Sequence, residues 1–360
     1  MKLLICGGGT GGGVYPALAV LQTIDPENTD VLWIGSDDGM EAELVRRAGV
    51  KFEGIPSAGL HGVNLLTIPQ RLYKLVKGYF ASKKILKDFK PDVLFLTGGY
   101  VGFPMAVASR NLPQVLFVPD IEPGMALNQL GKIAKLITVV CEDSRKYFPK
   151  AERIEVVGYP VRAELTRWDR EEALSHFGLN RSKPVLFVFG GSKGALSINR
   201  AVMKNLEELV QTCQVLHVTG KTGWEEVETY RASLDETIQA DYHIYPYLHE
   251  DMGAAFTAAD LVISRSGAST LGEFPLFGVP AILVPYPYAW RYQKVNAEYL
   301  ADRNAAVMIR DEELAEKITG AVTELMTEDK LAEMKANMST LACPDAAKKI
   351  ADLLKEMSEK

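Results

Sequence analysis

The feature that most restricts this chain is an apolar run that stops at glycines or small residues and restarts as a helix. Val185–Phe189 runs into Gly190-Gly191-Ser192-Lys193-Gly194-Ala195, and residues 259–263 lead into Ser264-Arg265-Ser266-Gly267-Ala268-Ser269-Thr270. A turn of this kind leaves backbone N–H groups at a helix N-terminus, where an anion can sit. Glu273 stands one turn into the second helix, where a carboxylate can accept from two adjacent hydroxyls such as those of a ribose. Turn-tightening glycines and a solvated Glu273 account equally well for either motif alone. Two such turns on successive α/β units point to a nucleotide diphosphate site.

A chain of 360 residues exceeds one growing core and suits two α/β domains. Its net charge of −6 supplies no field for nucleic acid, so no nucleic-acid partner is expected. The four cysteines, Cys6, Cys141, Cys213 and Cys343, lie far apart and read as reduced thiols of a cytosolic protein. None of the five histidines, His61, His176, His217, His243 and His249, has metal-ligand spacing, so no metal or other cofactor is expected. His217 and His243 fall in strands and read as core or rim residues. The start, Met1-Lys2-Leu3-Leu4-Ile5, reads as a first strand, and no apolar run reaches the ~18 residues of a spanning helix.

Lys2–Cys6 breaks at Gly7-Gly8-Gly9-Thr10-Gly11-Gly12-Gly13, and a helix is predicted from Val14. Glycine is so dense here that a G-x-G-x-x-G match comes almost free. No acidic residue ends the next strand, 30–34, so dinucleotide binding is disfavoured. The loop still lets a ligand approach the backbone at the carboxyl end of a central strand. A helix is predicted over 39–48, then a strand at Lys51–Ile55. A loop follows with Leu60, Val63, Leu65 and Leu66 exposed among glycines. Next comes a basic amphipathic helix over 71–87 carrying Arg71, Lys74, Lys77, Lys83, Lys84 and Lys87. That combination suits an anionic bilayer surface, although a core-facing helix with a wet lysine face also accounts for it. Asp120 and Glu122 follow the strand Gln114–Val118, at the end where open sheets place ligands. Gly158-Tyr159-Pro160-Val161-Arg162 reads as a hinge. The second half alternates strands and helices and ends in helices over 312–326 and from Leu331 to Lys360.

These motifs resemble the bacterial MurG family of two-domain (GT-B) inverting glycosyltransferases, almost end to end. The residues that carry the likeness are GGGTGGGVYP (7–16), GSDDGMEAELV (35–45), GGYVGFP (98–104), GYPVR (158–162), GGSKGALSIN (190–199), RSGASTLGE (265–273) and QKVNA (293–297). The resemblance implies two doubly wound Rossmann-like domains facing a cleft. Residues 1–162 would form the acceptor and membrane-associated domain and 163–340 the UDP-sugar domain. Residues 341–360 would be a helix packing back toward the first. It also implies transfer of N-acetylglucosamine from its UDP sugar to lipid I, the undecaprenyl-pyrophosphoryl-muramoyl-pentapeptide, by a peripheral protein on the inner face of the cytoplasmic membrane. Gly190, Gly191 and Ser192 would line the pyrophosphate together with Ser266, and Gly267 and Thr270 would also bind substrate. Asn199 would hold the loop in shape; Lys193, by its own chemistry, reads either as a positive charge next to the leaving phosphate or as an exposed loop lysine. Glu273 would take the ribose hydroxyls, Gln293 would read the hexosamine, and Arg162 would stand at the cleft entrance. Thr10, Gly11, Gly12 and Gly13 would face the acceptor.

The chain departs from the family pattern mainly on the acceptor side. The histidine of GGTGGH, often proposed as the base, is Gly13, and the HEQN signature falls on Phe117-Val118-Pro119-Asp120. The glutamine of GGSQGA is Lys193, and His-Lys-Asp before arginine is Tyr288-Ala289-Trp290. Asp120 and Glu122 are then the candidate bases, with Asp120 as a cap of the next helix the competing reading. A transferase using another lipid acceptor, and a UDP-sugar-binding homologue with impaired catalysis, remain alternatives.

Overall fold

Apolar runs without polar alternation become parallel strands covered on both faces. In the computed structural model, which describes residues 1–8, 11–37, 41–59, 67–191 and 194–359, Leu3–Cys6 and residues 185–188 are fully buried on both sides. The chain divides into two units, one of Met1–Arg162 with Cys343–Lys360 and one of Ala163–Ala342.

Unit 1 runs β1 (Lys2–Cys6), α1 (Gly11–Leu21), β2 (Asp30–Ser36), α2 (Glu41–Arg47), β3 (Lys51–Ile55), α3 (Ile68–Phe89), β4 (Val93–Leu96) and α4 (Gly102–Ala108). It continues through β5 (Gln114–Val118), α5 (Met125–Leu130), β6 (Leu136–Val139) and β7 (Ile154–Val156). Its seven strands are all parallel in the order β3-β2-β1-β4-β5-β6-β7. Unit 2 runs α6 (Arg170–Phe177), β8 (Val185–Phe189), α7 (Leu196–Thr212), β9 (Gln214–Val218), α8 (Trp224–Ala232), α9 (Glu236–Gln239), β10 (Tyr242–Tyr245) and α10 (Met252–Ala258). Then come β11 (Leu261–Ser264), α11 (Thr270–Phe277), β12 (Ala281–Leu283), α12 (Trp290–Ala301), β13 (Ala306–Met308), α13 (Leu314–Leu325) and α14 (Glu328–Ser339). Its six strands are parallel in the order β10-β9-β8-β11-β12-β13. The final helix, α15 (Ala346–Ser358), belongs to unit 1.

Both sheets are doubly wound, as the sequence implied. In each, strand order reverses beside the first strand, between β1 and β4 and between β8 and β11. These are the switch points, where loops at the carboxyl ends diverge and leave room for a ligand.

Several elements differ from the sequence-based expectation. α1 begins at Gly11 and not at Val14, so Pro16 lies inside the helix and has no N–H to offer the Gly12 carbonyl. α3 extends beyond 71–87 at both ends to 22 residues, with proline in its first turn and Lys90 in the left-handed region closing it. The helix expected from Leu331 onward is two helices. Pro344 cannot donate a backbone hydrogen bond and biases Cys343 away from helical angles, which breaks the run between α14 and α15. α15 then buries Ala347, Ile350, Ala351 and Leu354, a three-to-four-residue spacing, against α1, β4 and β5.

Candidate functional site

In unit 2, β8 and β11 are neighbours in register, with Phe189 opposite Ser264, so their following loops leave the sheet side by side. The first loop carries Gly190 and Gly191; Ser192 and Lys193 lie outside the described residues. Gly194 closes the turn, its N–H donating to Gly191 O at 2.9 Å. Its φ is +76°, and a Cβ there would lie 2.5 Å from the Thr219 carbonyl oxygen, so only glycine fits. Asn199, buried in the first turn of α7, donates from Nδ2 to that same carbonyl at 2.9 Å. Behind it, His217 lies between Asn199 Oδ1 (3.0 Å) and Tyr242 Oη (2.9 Å). Burial pushes the His217 pKa down to about 3, so the ring is neutral.

The second loop is held by its own side chains. Arg265 pairs with Asp311, donates to Val284 O at 3.2 Å and to Ser197 Oγ at 2.7 Å, and lies 5.3 Å from the Tyr286 ring centre. Ser197 Oγ in turn donates a hydrogen bond to Asp311 Oδ1 at 2.8 Å. One guanidinium thus joins the start of α7, the loop after β11, the end of β12 and the approach to α13. Ser266 is fully buried, and its hydroxyl donates to Gln293 O at 2.8 Å, while Asn296 Nδ2 donates to Ser266 O at 3.1 Å. Gln293 Oε1 accepts from Tyr286 N–H at 2.8 Å. Thr270 Oγ1 caps the Gly267 carbonyl at 2.7 Å, and Glu273 stands half-buried in the first turn of α11.

Gly190, Gly191, Asn199, Ser266, Gly267, Thr270, Glu273 and Gln293 therefore converge on one edge of the unit 2 sheet. Ser266 hydrogen-bonds its own scaffold, so its hydroxyl fastens α12 to the loop. The sequence reading did not single out Ser197, Asp311 and Asn296. Asn296 stood within QKVNA, whereas nothing local marked Asp311.

In unit 1 the matching edge is built differently. Gly12 and Gly13 open α1; Thr10 lies outside the described residues, as do Leu60, Val63, Leu65 and Leu66. A Cβ on Gly13 would sit 3.0 Å from the Thr97 carbonyl oxygen, closer than most side chains tolerate, so the α1 start is packed onto the end of β4. Among the described residues, buried Thr97 Oγ1 has no hydrogen-bond partner. Glu41 is fully buried beside Gly8 and accepts the Ser36 N–H at 2.7 Å. Cys6 lies nearby, and burial and then the Glu41 charge push its thiol pKa far up, leaving it inert.

Asp120 is half-buried and Glu122 buried in the loop after β5. Gly124 holds the N-cap position of α5, so Asp120 does not cap that helix. Phe117, where the HEQN histidine would stand, is a core residue packed edge-on against Tyr159 with ring centres 6.0 Å apart. The Arg162 guanidinium lies 4.5 Å from the Tyr15 ring centre and so reaches α1. A cavity of about 280 Å³ lies at the carboxyl ends of β2 and β3, lined by Ser36, Asp37, Ser57, Tyr73, Lys74 and Lys77. Beside it α3 exposes Leu72, Tyr73, Val76 and Phe80. Among the described residues no helix is long and apolar enough to cross a membrane, and no cluster of three or more acidic, histidine or cysteine side chains could hold a metal ion.

Paired doubly wound units, each with a glycine turn after its first strand, are the architecture of the two-domain GT-B fold. The chain belongs to glycosyltransferase family 28, whose N-terminal domain model matches residues 3–135 and whose C-terminal domain model matches residues 185–353. It is similar to the UDP-N-acetylglucosamine–N-acetylmuramyl-(pentapeptide) pyrophosphoryl-undecaprenol N-acetylglucosamine transferase of Desulforamulus reducens, at 38% identity covering 99% of this chain and 97% of that one. The protein of the same description from Roseiflexus sp. is 36% identical, with 99% and 95% covered. Among solved structures, Acinetobacter baumannii MurG superposes with a TM-score of 0.79 at 27% identity, covering 99% of both chains.

Proposed function

We propose that this protein transfers N-acetylglucosamine, with inversion, from UDP-N-acetylglucosamine to the muramoyl sugar of an undecaprenyl-pyrophosphoryl pentapeptide. The observation that carries this reading is the fastened double turn of unit 2. Two helix starts, α7 and α11, leave adjacent strands at a switch point, the arrangement that receives a diphosphate. Glu273 accepts the ribose hydroxyls, and Lys193 counters charge on the departing phosphate. Gln293, with its oxygen taken by Tyr286 N–H, offers amide hydrogens to the sugar hydroxyls.

In the reaction the acceptor hydroxyl oxygen forms a bond to the anomeric carbon as the bond to UDP breaks. UDP keeps the electron pair, and the hydroxyl proton passes to a carboxylate of unit 1, for which Asp120 is the first candidate. Unit 1 receives the acceptor, and α3 seats the protein on an anionic membrane face. Its exposed Leu72, Val76 and Phe80 enter the interface, and Lys74, Lys77, Lys83 and Lys84 meet the headgroups.

Gly13 in place of the family histidine, and Phe117 buried in place of the HEQN histidine, favour a second reading, the same donor with a different lipid acceptor. Radiolabelled UDP-N-acetylglucosamine offered with lipid I and with a panel of other lipid acceptors tests both. Label in a lipid I product supports the first reading. Label only in another lipid overturns it for the second, and hydrolysis or no turnover with every acceptor overturns both.

A further inference from the structure

Behind the glycine turn of unit 2 a hydrogen-bonded chain leads back through the sheet. Tyr242 Oη lies 2.9 Å from His217 Nδ1, His217 Nε2 lies 3.0 Å from Asn199 Oδ1, and Asn199 Nδ2 donates to Thr219 O at 2.9 Å. All four residues are buried. The direction of the chain follows from its last member. A carbonyl only accepts, so the Asn199 nitrogen faces Thr219 and its oxygen faces His217. His217 Nε2 must therefore carry the hydrogen, and bare Nδ1 accepts the Tyr242 hydroxyl proton. A neutral ring with a single N–H is what so buried a histidine holds.

The chain ends on the contact that shapes the turn. The Thr219 carbonyl is the wall against which Gly194 packs, and Gly223 leaves room for the Asn199 amide, since a Cβ there would lie 2.2 Å from Asn199 Nδ2. Rotating the Asn199 amide by half a turn would aim an N–H at His217 Nε2–H and an oxygen at the Thr219 carbonyl. Both contacts would become repulsive. His217 thus locks the amide, the amide locks the carbonyl, and the carbonyl fixes Gly194.

We infer that His217 is a positioning residue for the donor diphosphate, holding Gly194 of the turn after β8 in its binding position through Asn199 and the Thr219 carbonyl. The inference rests on the reading of unit 2 as the donor unit. Its chemistry is specific: Nε2–H is needed, while the Tyr242 bond only secures the ring from behind.

Isothermal titration of UDP into the full chain tests it, with Glu273→Ala as reference, alongside steady-state kinetics and thermal melts. His217→Leu leaves Asn199 Oδ1 buried without a donor, and UDP affinity is expected to fall about 10-fold. The donor KM should rise in step, with kcat and the acceptor KM unchanged. His217→Gln places an amide N–H near Nε2 and should restore affinity, whereas His217→Asn reaches only the Nδ1 side and should not. Tyr242→Phe should lower the melting temperature yet bind UDP as the parent does. Should His217→Leu fail to fold, the contrast between His217→Gln and His217→Asn reads the same quantity. The inference is overturned if His217→Leu binds UDP like the parent while Glu273→Ala weakens it. It is overturned equally if the glutamine and asparagine variants lose affinity alike. If Glu273→Ala itself leaves UDP binding unchanged, the donor reading falls and carries this inference with it.

Discussion

In unit 2 the loops after β8 and β11 are fastened by side chains, with Arg265 joining Asp311 and Ser197, Ser266 joining Gln293, and Asn199 backed by His217. In unit 1 the start of α1 packs on the end of β4 through backbone, with Gly13 set against the Thr97 carbonyl, and among the described residues the Thr97 hydroxyl has no hydrogen-bond partner. The same strand order thus supports two kinds of site. A preorganised edge of fixed donors suits one small ligand held in one pose, because no polar group must be rearranged when it binds. In unit 1 the side chains brace the strand ends from behind: Trp33 Nε1–H donates to Gly7 O at 2.9 Å, and buried Glu41 takes the Ser36 N–H at 2.7 Å. The departures from the family pattern fall in both units, at Gly13 and residues 117–120 in unit 1 and at Lys193 and residues 288–290 in unit 2.

The widest gap between the units should appear in the chemical step. If unit 1 supplies the base, Asp120→Asn or Glu122→Gln lowers kcat by roughly 10²–10⁴-fold and leaves UDP affinity unchanged. Stopped-assay kcat with the correct acceptor, paired with UDP titration, makes the measurement. Parental kcat in both variants would remove the carboxylates from the mechanism and leave unit 1 with a binding role only.

A smaller effect separates the units by pH. Every histidine among the described residues lies in unit 2. The folded pKa of His217 is lowered from 6.5 to about 3, and burial lowers that of His243 as well. Above pH 6.5 the ring is neutral folded or unfolded, and its contribution to stability is complete. As pH falls below 6.5 the unfolded chain takes up a proton that the folded one refuses, so stability drops by about 1.4 kcal/mol per pH unit. Unit 2 should therefore be about 2 kcal/mol less stable at pH 5 than at pH 7.5 on account of His217. Hydrogen exchange resolved by unit would show it, with His217→Gln losing that part of the decline. An identical decline in parent and variant would mean that His217 is not the group responsible.

The smallest effects belong to the exposed face of α3. Removing Lys74, Lys77 or Lys84 singly should weaken partition onto phosphatidylglycerol vesicles by about 1 kcal/mol each. Flotation measures this. Equal flotation of parent and variants, or none by the parent, would reduce α3 to a solvated face of unit 1 and erase one of its differences from unit 2.

The sequence by itself determined the elements whose signal is local. The glycine turns after β1 and β8, the buried strands and the helix starts at α7 and α11 all follow from residues within a few positions of one another. Both doubly wound halves could be read from that alternation, and so could Asn199, which lies in the same short motif as its loop. Only the tertiary structure decided the rest. Asp311 is 46 positions from the Arg265 it pairs with, and Tyr242 is 25 positions from His217. The periodicity of α15 announces a buried face, but its partners α1, β4 and β5 come from the other end of the chain. Apolar spacing records that a face leaves water and does not name what covers it. A hydrogen bond between distant residues leaves no mark at either, because each polar side chain reads the same on paper whether it meets solvent or a partner across the sheet.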